Sequence, residues 1–194
     1  MTKSRKSMLL VLVLAIAAFA GLHLLEYRVR YPVKADESNL EQVVRERYSS
    51  TMRAEDVPLH LYDAVQLDDR KYYLMEIGTE NTLGTVELEP GQDGRYRISL
   101  SYGEGDFRDR IRWSESGDVL LLAGRDVTGR IDTITVEIDQ ETYTLNPAGK
   151  THFFLKQPLG DYSGDLHLDR SKIKLYNAQG EEITAEYDLS GGDI

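Results

Sequence analysis

Residues 95–113 read RYRISLSYGEGDFRDRIRW. Tyr96, Ile98, Leu100 and Tyr102 alternate with Arg95, Arg97, Ser99 and Ser101, the period of a strand with one face in a core. Two glycines and two acids then break the pattern in SYGEGD, which marks a boundary. Beyond it the alternation resumes, with Arg108, Arg110 and Arg112 set between Phe107, Asp109, Ile111 and Trp113. One strand thus closes a first unit of structure and another opens a second. Trp113 falls near that junction and is a candidate for burial there.

Upstream, YPVKADE (31–37) is a short polar linker. Ser38 and Glu41 have capping-box spacing, and Leu40, Val43, Val44 and Tyr48 recur at helical spacing. These features predict one amphipathic helix over 38–52, barred from continuing by Pro58. LHLYDAVQL (59–67) puts Leu59, Leu61, Val65 and Leu67 on one strand face, and KYYLMEIG (71–78) alternates about Tyr73, Met75 and Ile77. TVELE and RYRISLSY flank PGQDG (90–94), a strong turn signal. A helix laid on a four-stranded antiparallel sheet, an α+β domain over 35–105, buries the helix's apolar stripe. Downstream, RIRWSESGDVLLLAG, RIDTITVEID, ETYTLN, THFFLK, SKIKLYN and EEITAEY read as short strands separated by Gly, Pro, Asn and Asp. That spacing predicts an all-β sandwich over 106–194, with the tail DLSGGDI frayed.

Residues 1–34 set the compartment. Lys3, Arg5 and Lys6 precede an apolar run from Met8 to Leu25, 18 residues, or about 27 Å of helix against a hydrocarbon core of about 30 Å. The run reads as a single retained transmembrane helix, with the basic head cytoplasmic and the rest extracytoplasmic. Arg28, Arg30 and Lys34 pull against that orientation. A cleaved signal peptide is the alternative, because Ala18–Ala20 fits a small-x-small cleavage site, and the product would then be secreted. A buried core helix is the third reading. Continuation of the run through GLHLL favours the anchor.

The chain has no cysteine among its 194 residues. That excludes disulfides, a thiolate nucleophile, cysteine-ligated zinc and a lipidated cysteine, and it fits a bacterial envelope. Residues 1–34 carry six basic residues and one acid, so the remaining 160 carry 17 basic and 32 acidic, a net of −15. Such a body repels nucleic acid.

The stretch YYLMEIGTENTLGTVELEPGQDGRYRISL (72–100) resembles membrane-anchored proteins of Gram-positive bacteria in which a cystatin-like helix-plus-sheet domain precedes a β-sandwich. IKLYNAQGEEIT (173–184) resembles the last hairpin of bacterial immunoglobulin-like extracellular modules. The resemblance spans residues 38 to about 187. It implies a fold and a location at the envelope, and it implies no catalytic residues.

Arginine is the sharpest local signal. If Arg95, Arg97, Arg108, Arg110 and Arg112 gather on this acidic body, they suit an anionic wall polymer or lipid headgroup. The competing reading is a salt-paired sheet face. With PGQDG as a five-residue loop, Glu89 stands opposite Arg95 and Glu87 opposite Arg97, ordinary cross-strand pairs. GDYSGDLHLD places Asp161, Asp165, Asp169 and His167 together, but without the alternate-residue spacing of a calcium loop. His23, His60, His152 and His167 lack zinc spacing, and His60 and His152 read as outward members of strands. Ser171 and Lys174 match S-x-x-K, yet on a strand they point to opposite faces. Gly103–Gly105 reads as a turn. Tyr96 and Tyr102 belong to the inner face of the sheet rather than to a sugar platform. No catalytic residue, cofactor or metal is assigned. The expected role is non-enzymatic interaction or regulation at the cell envelope through a membrane or wall protein partner. The alternatives are a hydrolase acting on cell-wall material through two carboxylates, and a secreted inhibitor if the leader is cleaved.

Overall fold

The computed structural model describes residues 3–52, 57–78, 80, 82–160, 162 and 168–194. The apolar run lies in one long helix, α1 (Lys3–Arg30). Its window Leu10–Arg30 has a mean hydropathy of 2.1 and no part of it is buried. The large apolar side chains from Leu10 to Leu25 are all exposed, from Val13 at 54% to Leu22 at 65%.

The second helix, α2 (Leu40–Met52), starts one residue later than the capping box implies. Asn39 takes the cap position, its carbonyl accepting from Val43 N (3.0 Å). The Asn39 side chain turns outward, accepting from Lys34 N (2.9 Å) and donating to the Pro32 carbonyl (3.1 Å). Leu40, Val43, Val44 and Tyr48 are buried, as their spacing predicts. The YPVKADE segment is no free linker. Val33 is fully buried and pairs with Tyr96, and Glu37 receives both Lys71 and the Tyr73 phenol.

Four antiparallel strands follow, β1 (Leu59–Leu67), β2 (Arg70–Ile77), β3 (Thr82–Pro90) and β4 (Tyr96–Gly103), in spatial order β1-β2-β3-β4. α2 packs on one face, over Leu59, Met75, Ile77, Val86, Leu88 and Ile98. β1 departs from simple alternation. Leu61 pairs with Met75 but Ala64 with Tyr73, so one extra residue sits in β1 as a bulge. The bulge inverts the facing of the second half. Leu59 and Leu61 join the core under α2, whereas Tyr62, Val65 and Leu67 join the core on the opposite side.

That opposite side is covered by a second sheet, formed by β5 (Phe107–Ser114), β6 (Gly117–Arg125) and β9 (His152–Gly160) in the order β5-β6-β9. A third sheet holds β7 (Thr133–Ile138), β8 (Glu141–Leu145) and β10 (Ile173–Tyr176), in the order β10-β7-β8. The middle sheet is apolar on both faces. Leu120 and Leu122 meet Ile134, Val136, Leu145, Ile173 and Leu175 of the third sheet. Val119, Leu121 and Ala123 meet Leu67, Tyr72, Leu74 and Leu83 of the first. The unbroken apolar run Val119–Ala123 is what a strand buried on two sides requires. The chain is therefore α+β in its first half and β-rich in its second, and the two halves share a core.

The tail, expected to fray, is docked. Asp106 N donates to the Asp188 carbonyl (2.7 Å), Asp188 N donates to Asp106 Oδ2 (3.1 Å), and Ile194 N donates to the Asp109 carbonyl (3.1 Å). Ile194 is 5% exposed and joins the core between the first and second sheets. The glycine pair makes this possible, since a Cβ on Gly191 would lie 1.8 Å from the Phe107 carbonyl oxygen. Trp113 is 73% exposed rather than buried. Within β5 it points away from the four-stranded sheet, beside the β5–β6 turn.

Candidate functional site

The five arginines do not form one cluster. Arg95 lies in the β3–β4 turn, and its guanidinium donates to the carbonyls of Tyr31 (2.8 Å) and Pro32 (2.9 Å). Arg108 is 1% exposed, and its guanidinium donates to the Leu83 (3.2 Å) and Glu104 (3.1 Å) carbonyls. Burial and the nearby Arg170 charge push its pKa down. Arg97, Arg110 and Arg112 face the same side of the four-stranded sheet and are joined by Arg70, which the sequence pattern does not single out.

Glu87 organises this face. Arg70 pairs with its Oε1, and Arg112 with its Oε2 at 2.7 Å. Arg97 pairs with Glu89, and Arg110 donates to the Ile194 carbonyl (2.6 Å). The salt-paired reading thus holds for Arg97, but with a shifted register. Glu89 faces Arg97 and Glu87 faces Ser99. Pro90 stays in β3, and the turn closes on Gly91 N donating to the Arg95 carbonyl (2.6 Å), so the loop is 91–95 instead of 90–94. A cleft of about 780 Å³ opens beside this face, lined by Arg70, Arg110, Arg112 and Trp113 together with Asp68, Asp69 and Glu115. Three acids offset three arginines there, so the cleft has no net charge to concentrate an anion.

A second polar cluster bridges the two halves. Glu76 on β2 is 8% exposed. It accepts from the Tyr62 phenol (2.7 Å) and from Arg125 (2.9 Å), with His152 Nε2 at 3.0 Å. Arg125 also reaches Asp106 (3.0 Å). Burial alone would raise the Glu76 pKa, but the hydrogen bonds from Tyr62 and Arg125 and the close approach of the His152 ring outweigh it and hold the carboxyl below its ordinary value. Burial and the Glu76 carboxylate push the Tyr62 phenol up to about 12. His152 therefore lies between the halves rather than outward on its strand. An ionised carboxylate clamped by this many donors is a cross-brace, not a general acid, which must hold a proton near working pH.

Asp161, Asp165 and His167 lie outside the described residues. Asp169 caps a short 3-10 turn, accepting from Ser171 N (3.0 Å) and Ser171 Oγ (2.7 Å). Lys174 instead pairs with Glu182 (3.3 Å), so Ser171 and Lys174 have separate partners. Among the described residues no three metal-ligating side chains converge.

The junction between α1 and the body is the most distinctive construction. The Tyr27 phenol donates to Asp93 Oδ1 (2.6 Å), Tyr27 stacks on Tyr31 with centroids 4.7 Å apart, and Arg95 holds the Tyr31 and Pro32 carbonyls. A Cβ on Gly91 would fall 2.3 Å from the Tyr27 hydroxyl, so a larger residue here would displace the tyrosines of the clasp. The β3–β4 turn thus clasps the last turns of α1. Sequence reasoning saw PGQDG only as a turn, and nothing local in it names a partner 66 residues away. Comparison with protein-family models, with curated proteins and with solved structures gave no match. The candidate sites therefore rest on their own geometry.

Proposed function

We propose that this protein is a single-pass, membrane-anchored protein with an extracytoplasmic body and a non-enzymatic interaction or regulatory role at the cell envelope. The observation that carries the reading is α1. It presents a continuous apolar surface with none of its spanning window buried, and a surface of that size calls for a lipid or protein cover. Retention is favoured over cleavage by the clasp. Cleavage after Ala20 would leave Leu22, Leu24 and Leu25, each more than 60% exposed, on a helix stub locked to the body by Tyr27 and Arg95. In the same reading, α2 on its four-stranded sheet is a cystatin-like unit. The two three-stranded sheets around the Leu120–Leu122 core are an immunoglobulin-like sandwich. The brace at Glu76 and the pairing of Glu87 and Glu89 with arginines support a scaffold more than a hydrolase.

The test is expression of the full chain in a Gram-positive host, an alkaline carbonate wash of the membranes, and intact mass of the product. Full-length mass in the pellet is expected. A soluble product beginning near Gly21 overturns the anchor. Turnover of wall material by the purified chain, lost on a single carboxylate substitution, overturns the non-enzymatic role.

A further inference from the structure

Where α1 leaves its apolar stretch, a groove of about 580 Å³ opens between the helix end, α2 and β4, lined among others by Arg30, Arg47, Ser50, Arg97 and Ser99. We propose that this groove binds a phosphate group, and that its source is the headgroup of an anionic lipid in the leaflet α1 has just crossed. The inference rests on the anchor reading above.

Position is the first argument. With Met8–Leu25 in the hydrocarbon, Arg30 lies five residues, about 7 Å, beyond its edge, at headgroup depth. Tyr27 and Tyr31 occupy the interfacial level favoured by amphipathic rings. Because the β3–β4 turn is fastened to Tyr27 and Arg95 is fastened to Tyr31 and Pro32, the body is held against the surface and the groove stays at that depth.

Charge is the second argument. The body carries a net of −15, yet the exposed charged side chains of helices α1 and α2 on the groove are two arginines, Arg30 and Arg47, against one acid, Glu46. Glu46 is engaged by Gln42 at 2.8 Å. Arg30 and Arg47 are exposed, and Arg30 lies over the Tyr31 ring at 5.9 Å. Arg97 and Ser99 border the groove from β4, but the Arg97 guanidinium pairs with Glu89 on the other face of the sheet and is not counted among the phosphate donors. The Arg30 and Arg47 guanidiniums, with the Ser50 hydroxyl on the same helix as Arg47, suit the several acceptor oxygens of a phosphate. Val29, 81% exposed on the same rim, offers an apolar contact to the acyl chains. Elsewhere an acidic body is repelled by an anionic leaflet, so this groove would also set which face approaches the membrane.

The experiment uses the full chain, purified in a neutral detergent, with native mass spectrometry of bound lipid. Phosphatidylglycerol is offered against phosphatidylcholine. One retained phosphatidylglycerol is expected, with little phosphatidylcholine. Arg47→Gln should weaken retention about fivefold, Arg30→Gln with Arg47→Gln further, and Arg47→Lys should keep most of it. Arg47 is exposed on α2, so an unchanged melting curve shows that the loss is not unfolding. Displacement of the lipid by millimolar inorganic phosphate would keep the phosphate site and change its source to the free ion. Equal retention of the two lipids, or unchanged retention in the folded double variant, overturns the proposal. The readout uses uncleaved protein in detergent. A failed carbonate test in cells therefore counts against the anchor, and failed lipid selectivity counts against the groove.

Discussion

Tyr62 and His152 lie face to face, ring centroids 3.9 Å apart and planes 4° apart, and both aim at Glu76. They come from opposite halves of the chain, so this carboxylate ties the four-stranded sheet to β9 and, through Arg125 and Asp106, to the docked tail. Replacing Glu76 with Gln leaves Arg125 short of a charge partner in a largely buried place. The expected cost is about 1–3 kcal/mol of stability, read by chemical denaturation. A loss confined to one half, seen as a biphasic transition, would locate the coupling at Glu76. An unchanged midpoint would show the brace to be idle.

The same carboxylate gives a pH dependence. Its folded pKa is below the ordinary 4.5, so its contribution is fully present above that value and is lost as the pH falls through the folded pKa. Wild-type stability should therefore drop on acidification from about pH 5, and Glu76→Gln should flatten that part of the profile. Melting temperature against pH for the two proteins checks it.

Several phenols titrate late, Tyr73, Tyr62 and Tyr187 most strongly. Burial and Glu76 raise Tyr62 to about 12, and burial and Asp126 raise Tyr187 to about 12. A raised folded pKa means that the stabilisation is complete below the ordinary value of 10 and is lost as the pH climbs towards 12. Absorbance titration of tyrosinate should show a late step in the folded protein that merges with the main one in denaturant. Tyr62→Phe should shrink that step.

Trp113 is the only tryptophan and is 73% exposed. Its emission should resemble that of the unfolded chain and be quenched efficiently by acrylamide. A blue-shifted, protected spectrum would mean that the end of β5 is covered in solution.

Much of the fold was legible because it is local. The helical spacing of Leu40, Val43, Val44 and Tyr48 and the alternation of Tyr96, Ile98, Leu100 and Tyr102 each report one apolar face, and those faces meet under α2. What failed was whatever depends on a single inserted residue or on a distant partner. The bulge in β1 reverses Val65 and Leu67 without leaving a pattern that differs from alternation. Pro90 remaining in β3 moves the arginine register by one pair. The arginine cluster split because its members sit on different elements. Arg108 turns into the core, Arg95 turns towards α1, and only Arg97, Arg110 and Arg112 share a face. The clasp on Tyr27 and the brace on Glu76 are contacts between segments far apart in sequence, which no local period encodes.

SGGD at 190–193 has the composition of a loose end, yet Gly191 passes so close to β5 that a Cβ would overlap the Phe107 carbonyl oxygen at 1.8 Å. Gly191→Ala must therefore push the tail away from β5. That would uncover Ile194 and free the Asp109 carbonyl to which its N–H donates. The expected loss is about 1–3 kcal/mol, with the tail newly open to carboxypeptidase digestion. Gly21→Ala, at a site with no atom within 4 Å, is the matched control and should change neither readout. Equal digestion of wild type and Gly191→Ala would show that the tail is already undocked in solution, and Ile194 would then contribute nothing to the core between the first and second sheets.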